Sequence, residues 1–136
     1  MQFAGTSYLA IFVAAIVAFV IGALYYGILR KPWMKAAKID PDGVKGPSPS
    51  LLITIFVVEL VMAFVTAGVI GHLGHGQVTL YNGVITALFI WAGFILTTIT
   101  INHRSQGIGW DLTIIDSLHW LLVMLGIGAT IGLIGV

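Results

Sequence analysis

Three ionisable side chains fall inside long apolar stretches of the sequence, and their chemistry has to be explained first: Glu59, Asp116 and His119. Hydrocarbon makes such groups expensive, so they normally face the interior of a helical bundle or a water-filled cavity. Counted from the nearer helix ends, Glu59 lies roughly 13 Å deep, His119 roughly 11 Å and Asp116 roughly 6 Å. Asp116 and His119 are three residues apart and share one helix face. Tyr25 and Tyr26 of the first stretch, Thr54 of the second, and Thr97 and Thr98 of the third reach the same level, so every helix contributes to one polar layer. Two readings of that layer are open. In the structural one, Glu59 is protonated or paired with His119, Tyr and Thr hydroxyls complete the hydrogen bonds, and the network fixes which helix faces meet. In the functional one, the same groups exchange protons or bind a cation, as in pumps and transporters.

The elements that carry these residues follow from composition. The chain has 136 residues, 59% of them hydrophobic and only 8% charged. A water-soluble domain needs charges dispersed over its surface, and here whole segments have none. Apolar runs extend over residues 7–29, 51–70, 80–101 and 112–136. Each has roughly 20 residues or more, which at 1.5 Å per residue matches the hydrocarbon core, where only helices or closed barrels satisfy the backbone. The runs lack the alternation of a barrel strand. The expected fold is therefore all-α: one transmembrane domain over residues 1–136, an up-and-down bundle of four helices.

Orientation follows from the basic residues. Arg30, Lys31, Lys35, Lys38 and Lys45 lie between the first and second runs and Arg104 between the third and fourth. Cytoplasmic loops retain Lys and Arg, so these two loops are expected inside and both termini outside the cytoplasm. The first run lacks a basic leading segment and is too long for a signal peptide. In the loop of residues 30–50, a short interfacial helix is expected over 32–38, with Pro32 in its first turn, Trp33 at the headgroup level and Lys35 and Lys38 reaching anionic lipid. Breakers from Asp40-Pro41-Asp42-Gly43 through Pro47-Ser48-Pro49-Ser50 prevent a further span.

Small residues supply packing surfaces: Ala14, Ala18 and Gly22 on the first helix, Ala63, Ala67 and Gly71 on the second, and Gly128 and Gly132 on the fourth. Spacing by four permits close approach, either within the bundle or against a second protein. Other motifs carry less. His72 and His75 have no third ligand nearby, so no metal is expected, and His103 beside Arg104 suits a helix end, where the dipole favours cations. Haem would require a second buried axial His. No cysteine, phosphate-cradling loop, nucleophile elbow or catalytic carboxylate pair is present, so neither an enzyme nor a cofactor is expected, and the net charge of +1 gives no reason to expect nucleic acid.

Several segments carry a family resemblance. Tyr8-Leu9-Ala10-Ile11 through Gly22-Ala23-Leu24-Tyr25-Tyr26-Gly27, followed by Lys31-Pro32-Trp33-Met34-Lys35, resembles the opening of a bacterial membrane family catalogued as domain of unknown function seventeen-sixty-one. Glu59-Leu60-Val61-Met62-Ala63-Phe64 is similar to its second-helix acidic motif. Trp91-Ala92-Gly93-Phe94 with Asn102, then Ile115-Asp116 and His119-Trp120-Leu121, resemble its third and fourth helices. Ile28 stands where that family commonly has a proline, which here comes at Pro32. The resemblance implies the topology and the polar layer in a bacterial inner membrane, and no substrate. The expected function is a non-enzymatic membrane protein, a homo-oligomer or accessory subunit that associates with membrane lipids, itself or another membrane protein. The alternative is a small proton-linked transporter or channel component built on Glu59, Asp116 and His119.

Overall fold

The computed structural model describes residues 1–136. A two-residue-per-strand hairpin, β1 (Gln2–Phe3) and β2 (Thr6–Ser7), leads into α1 (Tyr8–Ile28) and the short α2 (Arg30–Ala36). After a 3-10 turn at Pro41–Gly43 comes α3 (Pro49–Gly71). The third long helix is α4 (Leu80–Ile90) continued through a π-helical turn (Trp91–Ile95) into α5 (Leu96–Ser105), and α6 (Trp110–Ile134) is the fourth. Four helices, Tyr8–Ile28, Pro49–Gly71, Leu80–Ser105 and Trp110–Ile134, are long and apolar enough to cross a membrane. The chain is an all-α polytopic membrane protein.

Local chemistry sets the helix ends. Ser7, Ser48 and Thr79 accept the amides of Ala10, Leu51 and Asn82 with their hydroxyls, satisfying donors left free in each first turn. Ser48 and Pro49 therefore start α3 earlier than the apolar run does. The third span runs on to Ser105 because polar residues from Asn102 still fit the helix. It stops where Gly107 takes φ +70° and Ile108 donates back to the His103 carbonyl. The interfacial helix covers Arg30–Ala36 rather than 32–38, beginning one residue after α1. Lys38 ends it with φ +55°, and Ile39 donates to the Met34 carbonyl at 2.9 Å.

In space the long helices are not ordered as in the chain. Helix α6 is central, packing on α1 on one side and on α4 on the other, while α3 packs chiefly on α1. Small residues make these contacts close. Ala14, Ala18, Ala63 and Ala67 are fully buried. A Cβ on Gly83 would overlap the Gly128 carbonyl oxygen, a Cβ on Gly128 would overlap that of Gly83, and one on Gly132 would overlap that of Thr79. The stripe of Gly128 and Gly132 is thus occupied by α4 of the same chain, the first of the two packing partners that its spacing leaves open.

The apolar core lies in the half of the bundle remote from the basic loops, and includes Ile11, Ala14, Ala67, Ile70, Val123, Ile127 and Ile131. The hairpin covers that end. Ala4 and Gly5 both have positive φ, as its tight two-residue turn demands. Phe3 stacks on Phe64 at 4.0 Å, a Cβ on Gly71 would overlap the Ala4 carbonyl oxygen, and the Ser7 amide donates to Gly135 at 2.7 Å. Towards the basic loops the helices separate: from Pro49 to Val58 only Phe56 is partly covered, and α5 has no buried residue.

Candidate intramembrane polar site

Glu59 and His119 meet over Gly22. Glu59 is 2% exposed and His119 5%. A Cβ on Gly22 would lie 3.2 Å from His119 Nε2 and 3.9 Å from Glu59 Oε1, so both side chains border the space that glycine leaves. No hydrogen bond or ion pair joins them; the one ion pair of the chain is that of His103 with Asp116. The His119 ring is instead held among aromatics, with centroids 4.6 Å from Tyr26, 5.5 Å from Tyr25 and 4.7 Å from Trp120. Glu59 Oε2 and His119 Nδ1 have no hydrogen-bond partner in the protein. Buried polar atoms in this position are expensive and commonly mark a functional group or a bound water.

Nearer the basic loops the polar groups are connected. Tyr26 donates its hydroxyl to Asp116 Oδ1 at 2.7 Å, and Tyr25 donates to the Ile115 carbonyl at 2.7 Å. His103 Nε2 stands 3.8 Å from Asp116 Oδ2, and its Nδ1 is 2.9 Å from the Thr113 hydroxyl. Arg104 Nη2 donates to the same hydroxyl at 2.7 Å while its guanidinium lies 3.8 Å over the Trp110 ring. Asp116 and His103 side chains retain 21% and 14% exposure, so this part touches the surroundings. The hydrogen-bonded and ion-paired string is Tyr26, Asp116, His103 and Thr113; His119 adjoins it through its ring, and Glu59 lies beside His119 next to Gly22.

The structure thus brings together Glu59, Asp116, His119, Tyr25 and Tyr26, and leaves out the threonines assigned to the same layer. Thr97 and Thr98 are exposed, and Thr97 bonds the Gly93 carbonyl of the π-helical turn. Thr54 bonds the Ser50 carbonyl of its own helix on the exposed half of α3. His72 and His75 are exposed. Trp33 is half-buried with its ring 5.7 Å from Tyr26, and Lys35 and Lys38 are exposed. Sequence reasoning missed His103 and Thr113 as members of the string. The available signal was the face of α5: Leu96, Thr100 and His103 follow helical spacing, and Leu96 and Thr100 line a small cavity with Thr113 and Ser117.

Tyr26, Asp116 and His103 form the connected part of the site, while His119 adjoins it through its ring contact with Tyr26 and Glu59 has no hydrogen bond to it. Beyond Glu59, Ala63, Ala67 and Ile70 on α3 face Ala14, Ala18, Val123 and Ile127.

A family model described as "Protein of unknown function (DUF1761)" matches residues 9–132. No curated protein and no solved structure matches the chain.

Proposed function

The chain belongs to the DUF1761 family of proteins of unknown function, and on that footing we propose that it is a non-enzymatic component of proton-linked membrane transport, in which Glu59 is loaded with a proton from one side only. The observation that carries this reading is the position of Glu59 and His119, both buried beside Gly22 and each with an unpartnered polar atom, inward of a string that surfaces at Asp116 and His103. A network with a structural task alone would be expected to satisfy its members. The membrane is a bacterial inner membrane in this account, with the loops of Arg30–Lys45 and Arg104 in the cytoplasm and both termini outside. Protons then enter from the cytoplasm.

The apolar stretch beyond Glu59 favours work in company, since one chain in this conformation offers half a path. A second copy completes it in this account, so the protein reconstituted by itself carries the whole path, and the homo-oligomer reading is retained in that form. The contact surface is not the Gly128 and Gly132 stripe, which α4 covers.

The test is proton movement into vesicles reconstituted with the protein, read by an enclosed pH-sensitive dye, beside thermal unfolding in detergent. Glu59→Gln keeps a hydrogen-bonding amide without an ionised form, so it is expected to fold and to move no protons. Equal flux in the wild type and the variant, or no flux in either, would sink the transport reading and leave the string structural.

A further inference from the structure

Between α2 and the 3-10 turn that follows it, Arg30, Lys31, Met34, Lys35, Ile39 and Pro41 line an open cavity of about 530 Å³. Its three cations have no carboxylate partner, because the single ion pair in the chain is that of His103 with Asp116. Asp40, close by in sequence, instead uses its carboxylate to accept the Asp42 amide at 3.0 Å. Met34 is buried, and Ile39 and Pro41 add further apolar wall. The groove lies at the end of a membrane span, since α2 begins one residue after α1 stops. Leading up to it on α1, Leu24 and Ile28 are 60% and 78% exposed and one turn apart, an apolar surface for hydrocarbon.

From the unpaired cations, the concavity and the apolar approach, we propose that this groove is a discrete binding site for the phosphate of an anionic phospholipid. Arg30 can grip two phosphate oxygens with its planar fork, and Lys31 and Lys35 supply point charges. The apolar walls and the adjoining face of α1 favour a lipid over a free phosphate ion, because they offer surface for the glycerol and the first acyl carbons. Lys38 and Lys45 have the same charge in the same loop and do not line the groove. That difference separates a site from the diffuse attraction of any basic loop to an anionic surface. Occupancy would also hold α2, whose Trp33 rests against Tyr26.

The experiment uses the full chain in nanodiscs of phosphatidylcholine, titrated with phosphatidylglycerol, with retained lipid counted by native mass analysis and stability read by thermal unfolding. Phosphatidylglycerol is expected to be retained and to raise the unfolding temperature. Arg30→Gln, Lys31→Gln and Lys35→Gln should each weaken retention roughly fivefold, while Lys38→Gln and Lys45→Gln weaken it less than about twofold. Arg30→Lys, which keeps the charge, guards against a mere folding defect and should lie between. Equal losses from all five lysine and arginine changes would reduce the groove to diffuse electrostatics and overturn the proposal. So would retention of phosphatidylcholine as strong as that of phosphatidylglycerol. Stabilisation by inorganic phosphate in neutral detergent to the same degree would reassign the groove to a free anion and equally overturn the lipid.

Discussion

Tyr26 links three chemistries at one residue: its hydroxyl donates to Asp116, and its ring rests on His119 and on Trp33. Tyr26→Phe retains the ring and removes the donor, so it should destabilise the bundle by roughly 1.5–3 kcal/mol, the range for a hydrogen bond to a charged group. Thermal unfolding in detergent measures this, and an unchanged midpoint would mean that Asp116 finds another donor at no cost. Gly22→Leu makes a sharper change, since even a Cβ there would crowd His119 Nε2. It should separate Glu59 from His119 and abolish proton uptake in folded protein. Glu59, Asp116 and His119 were legible in the sequence because ionisable groups in apolar runs are rare. Depth along a helix was legible too. Azimuth was not: counting residues places a Cα at a level, while whether Thr97 or Thr100 faces α6 depends on how α5 is rotated, which the π-helical turn alters. His103 gives no separate signal in the sequence, because the end of a helix already explains a cation there.

At the scale of elements, the seam between α4 and α6 rests on backbone contact. Gly128→Ala pushes a methyl into the Gly83 carbonyl and should destabilise the protein by about 1–3 kcal/mol, as overpacking does, while leaving insertion of the helix intact. Unfolding in detergent beside membrane fractionation checks both parts, and a variant as stable as the wild type would show that the helices can separate freely. Lys38 provides the opposite case. A non-glycine residue at φ +55° is strained, so Lys38→Gly should stabilise α2 by up to about 1 kcal/mol. The four spans were legible from length and hydropathy alone, and their ends shifted only where caps such as Ser48 or Gly107 override the apolar pattern. The hairpin before α1 is not legible in the sequence, because two-residue strands carry too little periodicity and only Gly5 of its turn favours a positive φ. The spatial order, with α3 against α1 rather than fully against α4, was not legible either. Small residues mark every seam without naming its partner.

The molecule as a whole holds its connected polar groups and few buried residues towards its basic loops, and is apolar, close-packed and capped by the hairpin at the other end. This asymmetry, more than any single residue, is what makes one-sided loading of Glu59 the natural reading. It also sets the expectation for topology: a reporter fused after Val136 should lie outside the cytoplasm and one inserted near Gly43 inside, and the reverse at both positions would send protons in from the opposite side. The most direct measurement is the infrared signature of the Glu59 carboxyl in reconstituted protein, assigned by its loss in Glu59→Gln, followed as the pH is stepped and water is exchanged for deuterium oxide. The account predicts a carboxyl that titrates reversibly and exchanges its proton while the protein stays folded, and exchanges more slowly in Tyr26→Phe. A Glu59 signal that neither titrates nor exchanges short of unfolding would contradict it.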